Sequence, residues 1–208
     1  DDDTLLYPDF AETILRIFEA DAGLRVAGVQ GSFADTPFPG GPAEEVPRPR
    51  DPAPTLAGRV IRAVKRSGAY INWGYFLPYF GRYPARGELP PGSGWAVDRP
   101  RTLDGGFMAY RREVIQTVRF DPDLLYYATG EDQEASYRAS FLGALLRARN
   151  ARAYHCEYPA DRPNLYRRVL TKHANSAFWI QKHNPRSLYV KLGFFALLAW
   201  NLPCRLLD

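Results

Sequence analysis

Cysteine is nearly missing from this chain: Cys156 and Cys204 are the only two in 208 residues. Two cysteines this far apart make neither a disulfide framework nor a CxxC metal pair, and a reducing compartment is the default expectation. Charge of one sign is also scarce. The formal net charge is +4, with basic and acidic residues mixed along most of the chain. That is too mild to point to nucleic acid, although it suits an anionic substrate or an anionic membrane surface. Nothing at the start resembles a signal peptide; the chain opens on Asp1-Asp2-Asp3. The uncharged stretch at 192–202 (LGFFALLAWNL) has eleven residues and runs into Pro203 and Arg205. It is too short to span a bilayer and is expected as a buried or interfacial helix. What is present is ordinary for a globular domain with a sizeable core: 46% hydrophobic and 24% charged residues, with a high aromatic share of 14%.

Phe10, Ile14, Ile17 and Phe18 fall at i, i+4, i+7 and i+8, an amphipathic helix entered through Pro8-Asp9 and closed near Gly23. Residues 25–33 have the character of a strand. Seven prolines between 36 and 55 exclude regular structure and predict a long loop. A helical pattern at 56–66 stops at Ser67-Gly68, and an aromatic stretch, YINWGYFLPYFGRY, follows. Beyond it the pattern predicts a strand at 103–110 interrupted by Gly105-Gly106, and a short helix at 111–117. A helix with an acidic first turn is expected at 131–143, a short strand at 151–155 and a longer helix at 164–183. Alternating strands and helices imply an α/β layered architecture. The domain is expected to occupy 1–185, with an apolar helix over 186–208.

Two acidic sites carry candidate chemistry. Asp1, Asp2 and Asp3 would repel one another unless a cation neutralised them, and hard divalent ions such as Mn²⁺ or Mg²⁺, completed by a diphosphate, match carboxylate oxygens. Charge runs are also commonly just solvated. Glu131-Asp132 opens a predicted helix, where the dipole and the free N–H groups favour a charged carboxylate. Such a carboxylate near an acceptor hydroxyl is a candidate general base.

In order, the segments DDDTLLYPDF, LDGGFMAYRREVI, FDPDLLYYATGEDQEASYR and ARAYH resemble the family 2 glycosyltransferases of the GT-A fold. The resemblance covers 1–33 and 103–183. It implies the following assignments. Asp3 binds the metal, Asp1 and Asp2 contact the donor, and Asp132 is the catalytic base with Glu131 shaping the acceptor pocket. Gly105 and Gly106 let a sugar approach the backbone, and a strand glycine also has the plainer use of a bulge. His155 ends a strand where such enzymes place a further metal ligand. Glu134 stands where the family often has Asp. Trp95 and the aromatics Trp73, Tyr75, Phe76, Tyr79 and Phe80 could stack on sugar rings, although core packing explains most aromatics. Arg162, Arg167 and Arg168 could meet a diphosphate.

The activity implied is inverting transfer from a nucleotide-sugar donor to a hydroxyl of a glycan or lipid-linked acceptor. It would take place in the cytoplasm at the inner face of the cell membrane, with peripheral membrane contact. Two other classes fit less well. An aspartate-dependent phosphatase would want Thr or Val where Leu5 stands, and a non-catalytic carbohydrate-binding relative would not need both Asp3 and Asp132. Because the resemblance begins at the acidic motif, the 208-residue chain is expected to lack the strands that read the nucleotide base, and so to bind donors weakly.

Overall fold

The computed structural model of the chain describes residues 4–23, 25–37, 84, 95–124, 128–156 and 165–206. Outside these lie Asp1, Asp2 and Asp3, most of the proline-rich segment, the helical pattern at 56–66, the aromatics Trp73 to Phe80, and Arg162. The chain forms two compact units. Among the described residues the first holds those up to 37, 84–122 and 131–156, and the second holds 123–130 and 165–206.

The first unit is a mixed α/β structure, a mixed sheet flanked by helices. Its strands are β1 (Thr4–Leu6), β2 (Val26–Phe33), β3 (Val97–Asp98), β4 (Met108–Tyr110) and β5 (Ala144–His155). The order is β1-β5-β2-β4, with β3 also pairing with β5. Only the β2–β5 pair is parallel; β1 and β3 lie antiparallel to β5, and β4 antiparallel to β2.

Helix α1 (Phe10–Ala20) buries Phe10, Ile14 and Ile17, as the periodicity predicts. They pack with Val26, Val29, Leu146, Ala148, Ala151 and Ala153 on one face of the sheet. On the other face Ala27, Leu103 and Leu145 pack with Val114 and Val118 of α2 (Arg112–Val118) and with Ala135 and Ala139 of α3 (Glu131–Ala139). With both faces covered, β2 reads as a nearly continuous apolar run rather than an alternation. The exception is Gln30, buried at 1% exposure in the middle of that run.

The β2–β5 register jumps from Gln30↔Arg147 to Ser32↔Arg152. Ala148 in the gap pairs instead with Val97 of β3, and the Arg149 N–H reaches the Ala96 carbonyl at 2.9 Å. This irregularity bends β5, so that its first half serves β2 and β3 and its last residues also pair with β1. Gly31 sits at the bend. A Cβ there would drive into the Phe10 ring and the Ala151 carbonyl oxygen, which is why the strand carries glycine at this point.

Three predicted boundaries change. The strand expected at 103–110 is an irregular segment and a 3₁₀ turn, Gly105–Phe107, followed by only three strand residues. The turn forms because Gln30 takes the backbone N–H of Asp104 out of any ladder. The helix expected at 131–143 ends at Ala139, where the N–H groups of Leu142 and Gly143 turn back to the Ala139 carbonyl. The strand expected at 151–155 begins at Ala144 and has twelve residues. Its first half, ALLRARN, is rich in helix formers, and tertiary pairing overrides that preference.

Arg111 ties the unit together. Its guanidinium donates to the carbonyls of Val26 (2.9 Å), Phe18 (3.0 Å) and Asp21 (3.1 Å) and to Asp21 Oδ2 (2.9 Å). Burial alone would raise the Asp21 carboxyl, but the Val26 N–H and the Arg111 guanidinium outweigh it and hold it below the ordinary value.

The second unit contains a helical hairpin, α4 (Leu165–His183) and α5 (Leu188–Leu206). The turn is closed by the Asn184 N–H to the Ile180 carbonyl (2.8 Å), and Ser187 Oγ accepts from the Val190 N–H (3.3 Å) at the start of α5. Ile180, Val190 and Phe194 form its core, with Leu198 packed against them. Gly130 takes φ +92° and lies against the Trp179 ring, where any Cβ would collide with the indole. The α5 helix runs through Pro203 to Leu206 rather than stopping at the proline. Its outer face leaves Leu188, Tyr189, Leu192 and Phe195 exposed. No helix among the described residues is long and apolar enough to cross a membrane.

Candidate functional site

Two segments far apart in sequence meet in the first unit: the turn at 104–107 and the first turn of α3. Asp132 Oδ1 accepts from the N–H of Gln133 at 2.8 Å. The backbone N–H of Gly105 also favours the charged form of the Asp132 carboxylate. A Cβ on Gly105 would stand 3.6 Å from the Asp132 Cβ and 3.9 Å from its Oδ2. Gly105 itself is exposed, so the site opens where that side chain is missing.

Burial is the largest influence on the Asp132 carboxyl and pushes it up. The negative charge of Asp104 pushes the same way, and the N–H groups of Gln133 and Gly105 only partly oppose them. Glu131 is raised as well, by burial and by the charge of Asp132. Tyr110 faces the same group. Burial above all, with the Asp132 charge, lifts its phenol to about 12 against the hydrogen bond with Ser136. It therefore stays protonated at neutral pH and shares a 3.0 Å hydrogen bond with Ser136 Oγ, which also accepts from the Leu103 N–H at 2.9 Å. A carboxylate held above its ordinary range is a proton acceptor of improved strength.

The remaining expected residues lie as follows. His155 is the last residue of β5, and its register partner is Thr4, which directly follows Asp3 in the chain. Its ring lies 6.3 Å from that of Phe33, the last residue of β2, and Phe33 stacks edge-on with Phe107 at 4.6 Å. A row of rings thus runs from His155 to the turn that holds Gly105. Gly106 lies inside the 3₁₀ turn. Trp95 packs against the cluster beneath α1, the arrangement of a core residue. Outside the expected set, Arg111 is engaged by the end of α1. Arg138 serves the fold likewise: it pairs with the buried Glu134 at 2.5 Å and donates to the Val118 and Arg119 carbonyls.

Sequence reasoning missed Gln30, Asp104, Tyr110 and Ser136. A lone glutamine inside an apolar strand was the available signal, because a buried amide needs partners.

Among the described residues no group of three or more His, Cys, Asp or Glu side chains is placed to hold a metal ion. No family model matches the chain, and no curated protein or solved structure matches it either.

Proposed function

We propose that the protein is an inverting glycosyltransferase of the GT-A type, moving a sugar from a nucleotide-diphosphate donor to a hydroxyl of a glycan or lipid-linked acceptor. The observation that carries this is the meeting of Gly105 with Glu131-Asp132. These two segments were expected, on resemblance alone, to share an acceptor site, and a half-buried carboxylate with raised basicity stands where they meet. The location adds support. Phe33 and His155 end two parallel strands, and ligands of α/β sheets gather outside the carboxyl ends of such strands.

In this proposal Asp132 accepts the proton of the attacking hydroxyl as the oxygen bonds to the anomeric carbon. The bond from that carbon to the diphosphate breaks on the opposite face, and the configuration inverts. Glu131 borders the acceptor and the exposed Gly105 leaves room for it. For the donor side, Asp3 is assigned to the metal together with His155, whose register partner Thr4 directly follows Asp3 in the sequence. A carboxylate joined by an imidazole suits Mn²⁺ better than Mg²⁺. Such an ion, when bound, supplies Lewis-acid stabilisation of the departing nucleoside diphosphate. Asp1 and Asp2 are assigned to the donor. Action at the inner face of the cell membrane is part of the same proposal, supported by the exposed apolar side chains of α5, with Arg186 just before that helix and Lys191 within it.

The test is nucleoside-diphosphate release from a panel of nucleotide sugars with Mn²⁺. Asp132→Asn is expected to lower turnover by about 10²–10⁴ with donor affinity nearly unchanged, and Asp3→Ala to abolish transfer and weaken donor binding. Full activity in excess EDTA, or equal loss of donor affinity in Asp132→Asn, would refute the assignment.

A further inference from the structure

Gln30 is the one polar side chain on the buried run of β2, and it makes two hydrogen bonds to a single residue. Its Oε1 accepts the Asp104 N–H at 2.5 Å, and its Nε2 donates to Asp104 Oδ2 at 2.9 Å. The two residues are 74 apart in sequence, so this is a tertiary clamp and not a local turn. Because Gln30 lies between Val29 and Gly31 in the centre of the sheet, it has no freedom to follow Asp104 elsewhere. The clamp fixes both the carboxylate of Asp104 and the start of the 3₁₀ turn whose Gly105 lies against Asp132.

We propose that Gln30 and Asp104 are a positioning pair for Asp132. The buried amide fixes the Asp104 carboxylate one residue before the Gly105 backbone that lies against Asp132, and so sets both the charge and the turn beside that carboxyl. An uncharged group at 104 would hold the turn equally well. A carboxylate there adds like-charge repulsion, which favours the state of Asp132 that has taken up a proton. The other titratable groups facing Asp132 are Glu131 on its own helix and Tyr110 on β4. Tyr110 stays neutral, and Glu131, although partial desolvation raises it, keeps an exposed side chain whose charge water screens. Asp104 is the half-buried charge that a partner holds in place.

This inference rests on Asp132 as the base, but its test does not need transfer activity. Carboxyl ¹³C NMR of Asp132 is followed against pH in the full chain, in the parent, in Asp104→Asn and in Gln30→Met. Asp104→Asn keeps the size and an acceptor for Gln30, and should move the Asp132 midpoint down by about one pH unit. Gln30→Met keeps the volume but releases Asp104 towards water, and should move it in the same direction by a smaller step. If one variant fails to fold, the other decides. An unchanged Asp132 midpoint in a folded variant overturns the proposal. Where transfer is measurable, the acid limb of kcat/KM moves down the pH scale with the NMR midpoint. A shifted midpoint in a protein that transfers nothing would leave the pair intact and refute the glycosyltransferase assignment alone.

Discussion

Asp132 is held above its ordinary pKa, and that has a consequence for stability as well as chemistry. A carboxyl raised in the folded state binds its proton more tightly there than in the unfolded chain. Its favourable contribution is complete below the unfolded value, near 3.8, and is lost as pH rises through the folded value. The ionised form of Asp132 therefore weakens the fold relative to its protonated form. Asp132→Asn is expected to gain stability relative to the parent as pH is raised from about 3.5 to 7, measured by thermal unfolding at a series of pH values. A difference independent of pH would show that the site does not perturb this carboxyl.

Asp21 has the opposite sign. It is held low, so its contribution is present above the unfolded value and disappears as pH falls through the folded one. Removing its partner leaves a buried carboxylate facing the end of α1. Arg111→Met is expected to cost about 3–5 kcal/mol in denaturant unfolding, with part of the loss recovered by adding Asp21→Asn. A loss below about 1 kcal/mol would mean that the pair is no stronger than an exposed one.

Among the elements, the bend of β5 controls the layout of the site, because it lets one strand serve β2, β3 and β1 in turn. Gly31 makes that bend possible by admitting the Phe10 ring and the Ala151 carbonyl. Gly31→Val should cost about 1–3 kcal/mol or more and should separate α1 from the sheet, seen as faster amide hydrogen exchange in α1 than in α2. Equal exchange in both helices would show that the strand accommodates the side chain. The helical signals at 10–20 and 112–118 were legible because one face of each is apolar at the helical period. The strand at 144–155 was legible only at its end, where Tyr154 and His155 leave the ambiguous run of Ala, Leu and Arg. Leu145 and Leu146 are adjacent and both buried, one on each face of the sheet, which removes the alternation that marks a strand.

On the scale of the whole molecule, the described chain is a mixed α/β unit and a unit containing a helical hairpin. In the hairpin, α5 keeps an inner face of Val190, Phe194 and Leu198 and exposes Leu188, Leu192 and Phe195 at i, i+4 and i+7. With Arg186 just before the helix and Lys191 next to Leu192 in the sequence, α5 has the composition of a helix that lies on an anionic lipid surface. Sedimentation with vesicles containing phosphatidylserine is expected to carry the protein down, and less so in high salt. Leu192→Asp with Phe195→Asp, or deletion of 188–208, should leave it in the supernatant. A parent protein that never sediments refutes membrane contact.

Local physics within the sequence determined the helices α1, α2 and α4 and the strand β2, because their signals depend on neighbours within a few turns of chain. The acidic head of α3 and the glycine pair at 105–106 were equally plain. Only the tertiary structure decided that these two segments meet, 28 positions apart from Asp104 to Asp132, with Gln30 fixing the nearer carboxylate from a third place in the chain. It also decided that 103–107 turns rather than extends, and that Arg111 serves the end of α1. The reason is the same in each case. A buried hydrogen-bonding group must find a partner wherever the fold provides one, and the identity of that partner is a property of the packed chain and not of the residues beside it.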